Sequence, residues 1–302
     1  MSNPESKRLI VVVGPTAVGK TKLGIALARH FHTDVVSADS RQIFREMSIG
    51  TAKPGVEERE DVTHHFIDTL SVTDDYNAGK FERDVLSLLD QLFIKHDDVL
   101  MVGGSGMYVR AVCEGLDEMP EVPESVRVEI LENYRSKGLS WLQQEVMEND
   151  PEYFAVVDQM NPARLMRALE IVRTTGLPAS NYRVNRRVER PFSVVKIGLE
   201  MEREELYKRI DARVDKMIDS GLVEEVKRLE QFKSRNALQT VGYQELFDYF
   251  DGKHDLVEAI RLIKRNSRRY AKRQMTWFKR EEGIQWFHPD QLEKIITHLD
   301  GE

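Results

Sequence analysis

The feature that most constrains this chain is the segment Leu9–Thr21, LIVVVGPTAVGKT. Five consecutive apolar residues, Leu9–Val13, have the length and β-branched content of a buried strand in a parallel sheet. Gly14 begins the pattern G-x-x-x-x-G-K-[ST], and the apolar spacing that follows it indicates a helix. Glycines let successive backbone N–H groups point into one concavity, to which the helix N-terminus adds positive potential. The segment therefore predicts a phosphate-binding loop, with Lys20 on terminal phosphate oxygens and the Thr21 hydroxyl as a ligand of Mg²⁺.

Length and composition bound the class of protein. A chain of 302 residues exceeds a typical single domain, so two domains or a core with a large insertion are expected. The single cysteine, Cys113, excludes an intramolecular disulfide and a cysteine metal cluster, and it fits a reducing compartment. The apolar run near the N-terminus is too short for a signal peptide or a membrane span. We therefore expect a cytoplasmic protein without a membrane partner.

Two further segments are expected near the loop, because open α/β sheets bind ligands where their strands end. Asp39 follows a short strand at Val35–Val36, and it is a candidate general base, Mg²⁺ partner or N-cap of a helix beginning at Arg41. The strand Val99–Gly104 ends in glycines where an ATPase or GTPase of the P-loop class would usually carry an acidic residue. Close approach of a ligand accounts for consecutive glycines. The hydroxyl of Ser105 is then available at the reacting centre.

Proline and glycine positions divide the chain. The acidic, proline-containing stretch 117–124 marks a boundary, and helical patterns follow to about Arg190. Strand pattern returns at Ser193–Leu199, where the chain re-enters the sheet. We predict an α/β fold, a P-loop-type parallel sheet flanked by helices, formed by 1–118 and 193–302 and carrying an all-helical insertion domain at 119–192.

The most uneven charge lies near the C-terminus. The segment 261–280 carries nine lysines and arginines and no acidic residue, although the net charge of the chain is -7. Such a helix is expected to face a polyanion, and the interleaved Tyr270, Trp277 and Phe278 fit RNA, whose bases stack on aromatic rings.

Three classes of function fit these residues. A small-molecule kinase would hold ATP and Mg²⁺ on Lys20 and Thr21, and Asp39 would activate an acceptor hydroxyl. A transferase would instead hold the diphosphate of another substrate and transfer a group to RNA. A nucleotide-gated RNA-binding protein is the third class. The missing acidic strand end argues against the third, and a kinase has no evident use for the basic helix.

The chain resembles the tRNA dimethylallyltransferase family, also called tRNA isopentenyltransferases. The resemblance extends from Leu9 to Phe287 and rests on motifs in the family's order and spacing: GPTAVGKT, SADSRQIF, GTAKP, HHFIDT, VGGSGMY, NPARLMRALEI, RIDARVDKMIDSGLVEEV, QTVGYQE and RRYAKRQMTWF. It implies transfer of a dimethylallyl group from dimethylallyl diphosphate to the exocyclic amine of the adenine 3′-adjacent to a tRNA anticodon, with release of diphosphate. A P-loop kinase using ATP is the alternative.

The same resemblance implies roles for individual residues. Catalysis would fall to Asp39 as general base or hydrogen-bond acceptor, to Lys20, and to Ser105, which stands where relatives commonly have threonine. Mg²⁺ would sit on Thr21. The diphosphate-binding residues would be Gly14, Pro15, Thr16, Ala17, Val18, Gly19, Lys20, Thr21, Arg213 and Arg209, with Lys53 as a further candidate. The tRNA-binding residues would be Asp39, Ser40, Arg41, Gln42, Ser105, Arg127, Ala163, Arg164, Leu165, Met166, Arg167, Arg269 and Arg273. The helical insertion would grip the anticodon stem-loop, and we expect a monomer.

Overall fold

One wholly parallel sheet organises the protein. The computed structural model describes residues 7–59, 62–184 and 187–301. The strand order is β3-β2-β4-β1-β5-β6, and every pairing is parallel. The strands are β1 Arg8–Val13, β2 Val35–Ser37, β3 His64–His65, β4 Asp98–Gly103, β5 Ser193–Leu199 and β6 Ile284–Phe287.

Strand β1 lies between β4 and β5, so both of its edges are hydrogen-bonded. Its residues Leu9–Val13 are completely buried because helices cover both faces of the sheet. Val13 pairs with Gly103 on one side and with Gly198 on the other, which brings the carboxyl ends of three strands to one edge. The predicted α/β class with a parallel sheet is confirmed.

Contacts divide the chain into two units. One unit contains the sheet and runs up to Cys113 and onward from Glu189. Its helices are α1 Lys20–His30, α2 Val56–Arg59, α3 Ala78–Lys95, α4 Gly106–Glu114 (its last residue falls in the other unit), α8 Arg203–Asp219, α9 Leu222–Arg228, α10 Tyr243–Phe250, α11 Leu256–Phe278 and α12 Leu292–Asp300. Short 3₁₀ turns occur at Glu230–Phe232 and Asn236–Leu238.

The second unit, Glu114–Val188, is helical. It contains α5 Glu124–Asn149, α6 Pro151–Val156, α7 Pro162–Thr175 and a 3₁₀ turn at Ala179–Tyr182. The sequence pattern predicts two helices within this range, and the structure agrees, because Gly138, with a φ of 78° and a ψ of -171°, interrupts the helical backbone of α5. Asp150 is fully buried and joins the parts of this unit, because it caps α6 and accepts hydrogen bonds from Ser180.

In the parts of the chain that the structure describes, no helix combines the length and apolar character needed to cross a bilayer.

Candidate active site

The loop between β1 and α1 has a backbone that only some residues tolerate. Gly14 has a φ of +148°, and a Cβ added there would lie 2.7 Å from the carbonyl oxygen of Leu199. Ala17 and Gly19 also have positive φ, at 66° and 110°. Left-handed backbone of this kind is typical of an anion-binding nest, in which N–H groups point into one concavity. Helix α1 begins at Lys20, immediately after this turn.

Lys20 folds back over the loop. Its Nζ donates to the carbonyl oxygens of Gly14 at 2.9 Å and Pro15 at 2.7 Å. Burial, and to a smaller extent the nearby Arg213 guanidinium, lower the pKa of Lys20 from 10.5 to about 7, while Asp39 acts in the opposite direction. A buried ammonium beside a second cation is stabilised when an anion binds.

Arg213 reaches the loop from α8. Its Nη1 donates to Thr16 Oγ1 at 3.3 Å and its Nη2 to the Thr51 carbonyl at 3.5 Å. Burial lowers its pKa, but a guanidinium stays charged at physiological pH. The structure thus brings together two predicted diphosphate ligands, Lys20 and Arg213, that are nearly two hundred positions apart in sequence.

The two further cationic candidates differ. Arg209, one turn before Arg213, is exposed and pairs with Glu205 at 2.8 Å, but it lines the same cavity as the loop. Lys53 points elsewhere: its Nζ donates to the carbonyl oxygen of Phe44 at 2.7 Å and pairs with Asp68. Lys53 does not line the cavity in the described ranges, so the geometry favours Arg209.

A cavity of about 760 Å³ opens at this edge of the sheet. It is formed by the loop, by the strand ends and by residues of α1, α2, α8 and α11. Its lining includes Thr16, Lys20, Thr21, Asp39, Gln42, Thr51, Gly103, Gly104, Arg209, Arg213, Tyr270 and Gln274. A smaller cavity of about 100 Å³ shares Thr16, Asp39, Thr51, Arg213 and Tyr270 with it and is also lined by Arg41.

Asp39 lines both cavities. Its Oδ1 accepts from the backbone N–H groups of Arg41 at 2.9 Å and Gln42 at 3.2 Å. The expected helix after Asp39 is wrong, because the segment forms turns, and Ile43 and Phe44 leave them to pack into the core. Asp39 therefore caps a turn through one oxygen, and its carboxylate is held in a fixed orientation facing the cavity.

Ser105 has a definite partner. Its Oγ accepts from the Ser40 N–H at 2.9 Å and lies 3.2 Å from the Ser40 hydroxyl. Its own N–H donates to the carbonyl oxygen of Ala38. Ser105 therefore joins the ends of β2 and β4, and among the described residues it does not line either cavity.

Gln274 of α11 is a site residue that the sequence reasoning did not single out. Its Oε1 accepts from the Thr16 N–H at 2.8 Å, and its Nε2 donates to the Gly104 carbonyl at 3.0 Å. It is only 7% exposed, which is unusual for a polar residue inside a basic helix. Its position inside the RRYAKRQMTWF motif is the one available signal.

The paired glycines that end β4 have a different cause from the expected one. A Cβ at Gly103 would lie 2.1 Å from the Ala38 carbonyl oxygen, and one at Gly104 would lie 2.3 Å from Gln274 Nε2. The Ala38 backbone therefore requires glycine at position 103, whereas a side chain at position 104 would displace the Gln274 amide. The glycines by themselves are no evidence for a ligand.

The predicted tRNA-binding residues of the helical unit fall into three groups. The Leu165 side chain is fully buried in the core of that unit, so its prediction as a contact is wrong for the side chain. Ala163 and Arg164 are exposed, whereas Met166 and Arg167 are half-buried. The Arg167 guanidinium is shared between Glu170 at 3.1 Å and the Pro120 carbonyl. Arg127 is half-exposed and lies 3.7 Å from Glu124.

The positive charge of helix α11 is partly neutralised by acidic residues that lie near it in the fold. Four cations of the basic segment pair with acidic residues that lie outside 261–280: Arg261 with Glu258, Lys264 with Asp215, Arg268 with Asp211 and Lys279 with Glu200. Acidic partners therefore neutralise part of this basic segment, and its contact with a polyanion stays a prediction. Arg269 and Arg273 are exposed, and within the described residues neither makes an ion pair. The Arg273 guanidinium lies 5.7 Å from the centroid of the Tyr270 ring.

The described residues supply few candidate metal ligands. Among them, no three His, Cys, Asp or Glu side chains form a metal-binding group. The predicted Thr21 hydroxyl lines the main cavity beside Lys20. Mg²⁺ commonly takes one or two protein oxygens and completes its shell with phosphate oxygens and water, so this donor set fits Mg²⁺ bound with a diphosphate.

Comparison with known proteins decides the family. The family model described as IPP transferase matches residues 42–281. The chain belongs to the IPP transferase family. It is 50% identical over 297 residues to a tRNA dimethylallyltransferase of Cytophaga hutchinsonii, with 98% of each chain covered.

Solved structures of this family have the same fold. The tRNA isopentenylpyrophosphate transferase of Bacillus halodurans is 37% identical, with a TM-score of 0.72 over 98% of this chain and 96% of that one. A eukaryotic dimethylallyltransferase acting on tRNA is 25% identical, with a TM-score of 0.77 over 98% of this chain and 77% of that one. The family and the prenyl-transferring class predicted from sequence are confirmed, and the kinase alternative finds no support. The roles of individual residues stay predictions.

Proposed function

We propose that this member of the family transfers a dimethylallyl group from dimethylallyl diphosphate to the exocyclic amine of the adenine 3′-adjacent to a tRNA anticodon, releasing diphosphate. The observation that carries the proposal is a single cavity lined by the desolvated cations Lys20 and Arg213 and by the Asp39 carboxylate. This arrangement pairs an anion clamp with a proton acceptor, which is what alkylation of an amine by a diphosphate ester needs.

The clamp acts on the leaving group. As the bond between C1 of the dimethylallyl group and the diphosphate oxygen breaks, negative charge grows on that oxygen. The loop N–H groups, Lys20 and Arg213 are positioned to stabilise this charge, with Arg209 at the rim of the cavity. Thr21 would hold Mg²⁺, which supplies further charge neutralisation on the diphosphate when it is bound.

Asp39 is assigned to take the proton from the adenine amine that accepts the dimethylallyl group. As the bond between the adenine amine nitrogen and C1 forms, the amine must lose a proton, and a carboxylate oxygen is its acceptor in this proposal. The two backbone N–H bonds to Oδ1 hold the group still, and we assign Oδ2 as the oxygen that accepts that proton. Ser105 supports Ser40 in the adjoining turn and is assigned here to positioning this segment.

Recognition of tRNA is assigned to exposed cations of each unit. Arg269 and Arg273 lie on α11, and Arg164 lies on α7 of the helical unit. Exposed guanidinium groups bind phosphates and stack on bases, and the target adenine must leave its stack to enter a cavity, which costs a few kcal/mol. We place the helical unit on the anticodon stem-loop, and we propose a cytoplasmic monomer.

The decisive experiment supplies unmodified tRNA with either dimethylallyl diphosphate labelled in its prenyl group or ATP labelled in its γ-phosphate. Label in tRNA from the first donor alone supports the proposal. Transfer of phosphate from ATP to a small acceptor would contradict it.

Asp39→Asn tests the general base. The amide retains an oxygen that accepts the two backbone N–H groups but cannot take a proton, so transfer falls by about 10²- to 10⁴-fold while tRNA affinity stays close to wild type. Single-turnover rates and filter binding measure the two quantities. An equal loss of transfer and of tRNA binding would contradict this role.

A further inference from the structure

Glu225 of α9 is a buried carboxylate that the proposed mechanism does not use. It is only 4% exposed. Its Oε2 accepts from the N–H groups of Ser48 at 3.0 Å and Ile49 at 2.8 Å, and its Oε1 accepts from the Gly50 N–H at 3.0 Å. Three consecutive backbone N–H groups thus converge on one side chain from more than 170 positions away. Glu225 makes no ion pair within the described residues.

Tyr243 completes this arrangement. Its hydroxyl donates to Glu225 Oε1 at 2.6 Å, and its side chain is fully buried. Burial and the adjacent Glu225 carboxylate raise the pKa of Tyr243, so the phenol keeps its proton and remains a donor. A Cβ added at Gly50 would lie 2.5 Å from the Tyr243 ring, so the tyrosine also fixes how closely the loop approaches.

The residue after this anchored stretch touches the active site. The Thr51 carbonyl accepts from Gln42 Nε2 at 3.2 Å and from Arg213 Nη2 at 3.5 Å. Thr51 also lines both cavities. The segment held by Glu225 therefore leads directly into the Thr51 carbonyl. That carbonyl accepts from one terminal nitrogen of Arg213, while the Thr16 hydroxyl accepts from the other.

We infer that Glu225 and Tyr243 are positioning residues, which hold the segment 48–51 so that the Thr51 carbonyl fixes the Arg213 guanidinium for diphosphate binding. This inference rests on the proposed role of Arg213 as a diphosphate ligand. A carboxylate surrounded by three N–H donors and one phenol is a rigid anchor, because each donor loses its partner if the carboxylate moves.

The test measures binding of inorganic pyrophosphate with Mg²⁺ by calorimetry, and binding of tRNA separately. Tyr243→Phe removes one donor with little change of shape, and Glu225→Gln places an amide NH₂ against backbone N–H groups. We expect pyrophosphate affinity to fall by roughly 3- to 10-fold in Tyr243→Phe and by more than 10-fold in Glu225→Gln. The affinity for tRNA stays within twofold.

Two controls separate positioning from loss of stability. Glu224→Gln changes a neighbour on the same helix that does not touch the segment, and it leaves both affinities unchanged. Leu89→Ala removes buried methyl groups from α3, in a hydrophobic cluster that contains neither the segment 48–51 nor Tyr243, so it lowers Tm while leaving pyrophosphate affinity unchanged.

Two outcomes overturn the inference: unchanged pyrophosphate affinity in Tyr243→Phe and Glu225→Gln, or a loss of affinity in Leu89→Ala that equals theirs when Tm is lowered equally. Because the readout is pyrophosphate binding rather than prenyl transfer, failure of the labelling experiment above is distinguishable from failure here.

Discussion

Two groups of cations in this protein, one at the phosphate loop and one along helix α11, differ in their burial and in their acidic partners. Lys20 and Arg213 are half-buried but strongly desolvated, line a common cavity and lack a carboxylate ion pair within the described residues. Helix α11 carries many more cations, but several of them pair with acids such as Asp211 and Asp215 at its surface. Charge that is buried and uncompensated costs free energy until an anion binds, whereas charge that is exposed and paired contributes little to stability or to binding.

This difference shows which charges are informative. A count of basic residues along α11 overestimates its positive potential, because partners on other elements are distant in sequence. The function of the phosphate loop is predicted without such a count, because the spacing of its glycines determines its backbone conformation. The small buried set is therefore expected to dominate chemistry, and the few unpaired surface cations are expected to dominate RNA affinity.

The largest expected effect comes from the buried set. Lys20→Met removes an ammonium that acts on the leaving diphosphate, so kcat/KM for transfer falls by about 10³-fold with tRNA affinity retained. Steady-state kinetics with labelled dimethylallyl diphosphate measure the loss. Lys216→Met, at an exposed position on α8, is the matched control with unchanged kinetics. A loss below tenfold in Lys20→Met would show that the buried and surface cations are not functionally distinct.

The exposed cations of α11 give a smaller effect. Arg269→Ala combined with Arg273→Ala weakens tRNA binding by roughly tenfold. It also reduces the slope of log K against log salt by about one for each phosphate that the variant no longer neutralises. Fluorescence titrations at several salt concentrations measure both quantities.

A charge-matched pair sharpens this test. Lys264→Ala combined with Arg268→Ala lowers the net charge equally but removes cations that already have acidic partners. We expect tRNA affinity to change by less than about threefold in this variant, because paired surface charges contribute little. Equal losses in the two double variants would mean that tRNA senses only the overall field of the helix.

The smallest expected effect is the uptake of one proton when pyrophosphate binds. With a pKa of about 7, Lys20 is mostly neutral at pH 8 in the free protein, and a bound diphosphate raises that pKa. Pyrophosphate binding at pH 8 is therefore accompanied by uptake of nearly one proton, which disappears below pH 6 because Lys20 is then already protonated. Calorimetry in buffers of different ionisation enthalpy measures the uptake, and Lys20→Met supplies the background from pyrophosphate itself.

The same pKa has a consequence for stability. In the unfolded chain Lys20 regains its ordinary pKa of 10.5, so between about pH 7 and 10.5 the unfolded state binds more protons. The contribution of Lys20 to the free energy of unfolding therefore increases with pH across that range. Lys20→Met removes this increase, which denaturant titrations at pH 7 and 9 resolve.

Several elements follow from local sequence. The strand of Leu9–Val13 and helix α3 with its Asn77 cap are set by apolar periodicity and by short-range hydrogen bonding. Other residues escape such reasoning because their partners are remote. Arg190 belongs to a basic run in the sequence, yet its side chain is buried against Glu82 at 2.6 Å and two carbonyls of α4. Leu165 lies in a basic motif for which the family resemblance predicts contact with tRNA, yet its side chain packs in the core of the helical unit.

The amino-acid sequence is enough to specify the phosphate loop, the parallel α/β sheet and the family, because each depends on residues that are close together or on motifs in a set order. The three-dimensional arrangement is needed to establish which cations lack an acidic partner, why Gly103 must be glycine, and how Gln274 and Glu225 support the site. These features depend on contacts between side chains that are far apart in the sequence, and such contacts cannot be predicted from the periodicity or spacing of residues along the chain.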